Sequence, residues 1–129
     1  MAGETRFVLD LRSISQEVME SVAAEARELA TRVGQRYGVS FDLGEATDSP
    51  PALMDVRLRE KLMTLLERPL EMPSGAGHDA ALFAWAGIPA AMIFVRNDHG
   101  SHNPEESMTL EDFEVGTRTL TSLLREFPF

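Results

Sequence analysis

The sequence predicts an α/β protein, a two-layer strand-helix-strand piece followed by a fragment of an α/β catalytic domain. Three observations carry that expectation. Residues 6–12 alternate, with Phe7, Leu9 and Leu11 on one face and Arg6, Val8, Asp10 and Arg12 on the other, the period of a half-buried strand. Ile14, Val18, Val22, Ala26, Leu29 and Val33 recur every three or four residues, as on an amphipathic helix. Residues 90–95 are continuously apolar, as in a strand buried on both faces of a sheet.

Taken in order, the strand at 6–12 leads to Ser13 and Gln16, which have the S-x-x-Q spacing of a capping box. The long helical stripe follows and ends near Gly38, a left-handed cap. Val39, Phe41 and Leu43 alternate again, so residues 5–45 read as strand, helix, strand, with one helix over one sheet face. At 48–51, Asp-Ser-Pro-Pro interrupts the pattern, because paired prolines forbid both helix continuation and ladder donation. The expected domain boundary lies here, between 1–48 and 49–129. Leu58, Leu62, Leu65 and Leu66 mark a shorter helix stopped at Pro69. A glycine-rich turn at 74–77 precedes a short helix at 79–86, closed by Gly87 and Pro89. The apolar segment at 90–95 runs into a polar loop, after which Thr109 caps a last helix bearing Leu110, Phe113, Leu120, Leu123 and Leu124. No internal repeat is present.

Composition narrows the function. The 129 residues carry 12 Lys+Arg against 21 Asp+Glu, a net charge of −9. That balance argues against nucleic acid or an anionic membrane as the main partner, since both select a basic face. Hydrophobic content of 43% with 9 Gly and 7 Pro excludes disordered and collagen-like classes. With no Cys, disulfides, thiol nucleophiles and thiolate metal sites are out, and any zinc would need His and carboxylate ligands. The longest apolar run, 88–95, is too short to span a bilayer, and no charged-then-apolar leader is seen. The expectation is a soluble, cytoplasmic protein.

All three histidines fall in polar breaks of the second half, where ligands of open α/β sheets gather. Singly, each reads first as a solvated or backbone-bonded loop histidine; with Asp79, Glu105 and Glu106 they form a constellation. His78 follows Gly77 at the start of the short helix, where free amides and the helix dipole favour an anionic or carbonyl ligand. Gly75 and Gly77 also suit a plain tight turn. His102 offers an imidazole for zinc, with Pro104 stiffening the loop. One imidazole is no site, and neither H-E-x-x-H nor another complete metal signature occurs. Arg12 shares a face with Asp10, which reads either as a surface ion pair of little worth or as a guanidinium able to grip a carboxylate.

Three blocks carry a resemblance: Phe-Val-Leu-Asp-Leu-Arg-Ser at 7–13, Ser-Gly-Ala-Gly-His-Asp-Ala at 74–80, and the stretch 92–105 containing Gly-Ser-His-Asn-Pro. In this order they resemble the N-carbamoyl-L-amino-acid hydrolase and allantoate amidohydrolase group of the dinuclear-zinc aminoacylase and carboxypeptidase superfamily. The resemblance implies a longer intact enzyme, with a catalytic domain interrupted by a smaller lid that commonly dimerises. Residues 1–48 would be the second half of that lid, and 49–129 the C-terminal segment of the metallohydrolase catalytic domain. His102 matches the C-terminal metal-ligand histidine. Arg12 matches the arginine holding the substrate carboxylate, and Gly77 and His78 match the pair beside the scissile carbamoyl or amide group, with His78 catalytic. His99 receives no role. The remaining metal ligands and the general-base glutamate belong to the N-terminal half of such enzymes.

The implied function is therefore a fragment of a metal-dependent hydrolase of linear C–N bonds in carboxylate-bearing substrates, inactive alone. Zinc, or manganese or cobalt, would serve the intact enzyme, with none held firmly by this chain. A small-molecule substrate and a second copy of the chain are the expected partners; nucleic acid and membrane are not. The alternative is a non-catalytic, self-associating domain, or a decayed orphan piece of such an enzyme.

Overall fold

The computed structural model describes residues 3–128. Four helices follow in order: α1 (Gln16–Tyr37), α2 (Val56–Leu65), α3 (Asp79–Trp85) and α4 (Leu110–Glu126). Each boundary has a local cause. The Ser15 hydroxyl accepts from the Val18 amide at 3.3 Å and so caps α1, two residues beyond the serine that the spacing favoured. Gln16 does not return to the cap; its side-chain amide donates to Glu20 one turn on, at 2.9 Å. At the other end Gly38 takes φ 65°, and its amide closes on the Gly34 carbonyl at 2.9 Å. Asp55 caps α2 through the Leu58 amide at 2.9 Å, and Thr109 caps α4 through the Asp112 amide at 3.0 Å.

The chain divides into two compact units, residues 1–51 and 52–129. In the first, the stretch after α1 folds back along the helix. Val39 donates to the Gly34 carbonyl at 3.3 Å, and its own carbonyl oxygen lies 2.8 Å from where a Cβ on Gly34 would sit. Phe41 and Leu43 line the same helix face beside Arg27, Ala30 and Thr31. Residues 6–12 are exposed along most of their length; Phe7 is 71% and Val8 94% exposed.

The second unit has its core between α2 and α4. Leu62 and Leu123 are 7% and 8% exposed, and Thr119, at 4%, turns its hydroxyl to the Val115 carbonyl at 2.8 Å. Lys61 pairs with Glu126 at 2.6 Å, and the Arg57 guanidinium lies over the Phe127 ring at 5.3 Å. No helix among the described residues is long and apolar enough to cross a membrane.

The α/β expectation is overturned. Neither the strand-helix-strand layer nor a sheet fragment after it forms; the described residues are mostly helical, with an isolated antiparallel bridge between Asp98 and Ser107. The reason is that alternation fixes a face, whereas a strand also needs a neighbour for its amides and carbonyls. Val39 spends its amide on the Gly34 carbonyl of α1. The Ala90 carbonyl accepts from the Asp55 amide at 2.8 Å, at the cap of α2, instead of from a ladder. From the apolar run at 90–95, Val95 packs onto α4 at Gly116, where an added Cβ would fall 2.7 Å from Val95 Cγ2, while Phe94 stays 49% exposed.

That contact gives a test of the packing. Alanine is the better helix former by about 1 kcal/mol, yet Gly116→Ala is expected to destabilise the second unit, because overpacking against a branched side chain typically costs about 1–3 kcal/mol. Chemical denaturation should show a net loss, relieved in the double variant with Val95→Ala. A Gly116→Ala chain more stable than the parent contradicts the contact.

Candidate functional site

His78 stands as the N-cap residue of α3, with φ −138° and ψ 151°, and its side chain makes no capping bond. The imidazole turns back over the glycine-rich turn instead, where Nε2 meets the Ser74 hydroxyl at 2.6 Å. Ser74 Oγ also accepts from the Ala76 amide at 3.1 Å, which closes the turn. On its other side the ring contacts Phe94 edge-on, with centroids 6.2 Å apart. Gly77 has no atom within 4 Å of where a Cβ would lie, so a ligand can approach its backbone.

The loop beginning after Phe94 and Val95 carries His102. The Asp98–Ser107 bridge closes it, with amide-to-carbonyl distances of 2.7 and 3.3 Å. Inside it His99, Gly100 and His102 have φ of 65°, 74° and 64°. For the two histidines this left-handed backbone costs on the order of 1–3 kcal/mol each, and it persists where the surroundings fix it. The fixing bonds are explicit. Asn103 donates its side-chain amide to the carbonyls of His99 and Gly100, at 2.8 and 3.2 Å. Glu106 accepts the His102 amide at 2.9 Å on one carboxylate oxygen and the Asn97 side chain at 2.8 Å on the other. These bonds, the His102 amide foremost, hold the Glu106 carboxyl below its ordinary range.

Arg12 is engaged by Asp10. Nε donates to both carboxylate oxygens, at 3.1 and 2.9 Å, and Nη2 to Oδ2 at 2.5 Å. Asp10 thus shows the guanidinium binding a carboxylate through two of its nitrogens. The pair is exposed, and the Arg12 hydrogen bond holds the Asp10 carboxyl below its ordinary value of 3.8. Because the folded value lies under the unfolded one, this contribution is complete above pH 3.8 and is lost as pH falls through the lowered value. The side-chain carboxyl carbon of Asp10 should therefore titrate below 3.8 by NMR, and Arg12→Ala should return it towards 3.8. Titration at the ordinary value in the parent chain would show the pair to be open.

Each predicted residue is thus held by its own local network. Arg12 lies in the first unit; His78 and His102 lie in the second, on segments joined through Phe94 and Val95. Among the described residues no three His, Asp or Glu side chains converge as a metal-holding group. His102 brings one imidazole, so these residues do not by themselves make up a metal centre. The supporting residues Ser74, Asn97 and Asn103 escaped the sequence reading. A Ser four residues before His78 and an Asn directly after His102 are the signals that could have found them, since both residue types bond back to nearby backbone.

Comparison with known proteins covers these segments in a single match. The model of peptidase family M20/M25/M40 matches residues 9–126, a span that includes Arg12, His78 and His102. Allantoate amidohydrolase of Bacillus subtilis (strain 168) is 33% identical over 132 residues, covering 98% of this chain and 32% of that protein. Allantoate amidohydrolase of Escherichia coli (strain K12) is 32% identical over 127 residues, covering 95% and 31%. N-carbamoyl-L-amino acid amidohydrolase of Geobacillus stearothermophilus is 32% identical over 119 residues, covering 88% and 29%. The chain spans about a third of the length of these curated relatives. No solved structure matches it with significance. Enzymes of this family generally use metal ions. With the match extending from Leu9 to Glu126, the chain belongs to peptidase family M20/M25/M40.

Proposed function

We propose that the chain is the C-terminal part of a metal-dependent amidohydrolase that cleaves linear C–N bonds, carbamoyl or ureido, in substrates bearing a carboxylate. The observation that carries this is the family match over 9–126, with relatives named as allantoate and N-carbamoyl-L-amino acid amidohydrolases. In this reading residues 1–48 belong to a lid or dimerisation domain and 49–129 to the catalytic domain.

Arg12 binds the substrate carboxylate in the two-pronged manner that Asp10 displays. Gly77 lets the substrate approach the backbone, and His78 donates an N–H to the oxygen on which negative charge develops. That donor role falls to the side chain, since α3 has only 7 residues. His102 supplies one ligand for zinc, manganese or cobalt, the others coming from outside the described residues. Joining this chain to the part of an allantoate amidohydrolase that it does not cover, by co-expression, tests the reading. Recovery of ureido or carbamoyl hydrolysis supports it, and a stable complex without turnover opposes it.

The alternative of a non-catalytic, self-associating domain draws on a different observation. The 22 residues of α1 include no buried side chain, and Val8, Leu29, Leu110 and Phe113 all face solvent. Exposed apolar area on this scale favours association. The chain is expected to form dimers or larger species at micromolar concentrations, in either reading. Light scattering that finds a sharp monomer throughout that range would contradict self-association.

A further inference from the structure

We propose that Ser74 is a positioning residue that locks the His78 imidazole in its Nδ1–H tautomer, making His78 a hydrogen-bond donor through Nδ1 and not a general base through Nε2. The catalytic meaning of this rests on the amidohydrolase reading; the hydrogen bond does not.

A neutral imidazole has one N–H and one bare nitrogen, and the partner of either nitrogen decides which is which. His78 Nε2 faces Ser74 Oγ at 2.6 Å. An N–H donor rarely approaches oxygen closer than about 2.7 Å, whereas hydroxyls are the shorter-reaching donors, coming to about 2.5–3.0 Å of an acceptor oxygen. The separation fits O–H donating to bare nitrogen. The rest of the turn agrees: Ser74 Oγ already accepts the Ala76 amide at 3.1 Å, and its one proton remains to be placed. Aimed at Nε2, it leaves the imidazole proton on Nδ1.

The turn and one further ring contact keep this pose. The 74–78 turn is closed at Ala76 by the same serine oxygen, and Phe94 meets the ring edge-on at 6.2 Å. The chemical consequence is a division of labour on one ring. Nε2, occupied as an acceptor, can take a proton only if the Ser74 hydroxyl turns round to accept from it. Nδ1–H is fixed as a donor suited to an oxygen gaining negative charge.

Imidazole nitrogen shifts read the tautomer directly. Two-bond ¹⁵N–¹H correlation spectra of the labelled 129-residue chain would be recorded about two units above the ordinary imidazole pKa of about 6.5. For His78, Nδ1 should appear protonated and Nε2 bare. Ser74→Ala should move His78 towards the Nε2–H form that free histidine prefers, while His99 and His102 keep their patterns. Ser74→Thr, which retains the hydroxyl, should restore Nδ1–H. An Nε2–H form in the parent chain, or a His78 pattern unchanged by Ser74→Ala, overturns the proposal. Neither substrate nor metal is needed, so a failed tautomer test and a failed amidohydrolase reading are separate results.

Discussion

Purified alone, the 129-residue chain is expected to turn over neither N-carbamoyl-L-amino acids nor allantoate, with or without added zinc. A hydrolytic zinc takes three protein ligands and an open position for water. Among the described residues no three His, Asp or Glu side chains converge. Water without such activation, and without a base to take its proton, attacks a ureido carbon too slowly to measure. Product release should stay at the blank level in the presence of zinc, manganese or cobalt. Adding the uncovered part of an amidohydrolase relative should raise it. Metal-dependent turnover by the isolated chain would show instead that these residues assemble a working centre, by self-association or otherwise.

In the complemented enzyme, substitutions at Arg12 and His78 should separate by role. Arg12→Lys should raise KM for carboxylate-bearing substrates with little change in kcat, because a point ammonium cannot reproduce the planar two-pronged fit. A neutral amide analogue of the substrate should be nearly indifferent to the same change. His78→Ala should leave KM and metal content close to the parent values and lower kcat by about a hundredfold or more, the usual effect of removing one oxyanion donor. If both were ordinary exposed side chains, each change would fall within about 0.5 kcal/mol in stability and leave kinetics alone. Steady-state kinetics on the two variants, with both substrates, distinguishes the cases.

The helices were legible in the sequence because their signals are local. The stripe from Ile14 to Val33, the glycine at 38 and the threonine at 109 each act within a turn or two of themselves, and α1 and α4 lie where those residues place them. Even so the cap of α1 moved from Ser13 to Ser15, a choice between two hydroxyls that spacing alone does not make. Strands were not legible, because alternation at 6–12 and 39–43 says which side chains share a face and nothing about which backbone pairs with which. The apolar run at 90–95 signals burial, yet the run is only half-buried, with Val95 against Gly116 on α4 and Phe94 49% exposed. For the site, residue types pointed to His78 and His102, but the left-handed backbone of His102 and the Glu106 and Asn103 bonds that hold it are properties of the folded loop. Ser74 escaped because its partner is a side chain four residues away across a turn, a pairing that depends on how the glycines fold.

His102 is proposed as a metal-binding residue of an amidohydrolase and not a loop histidine. Metal analysis beside steady-state kinetics, on the complemented enzyme carrying His102→Ala, tests it most directly. Loss of a ligand should lower bound metal and rate together, with partial recovery of both when metal is supplied in excess. Full metal content with full activity in His102→Ala would contradict the assignment.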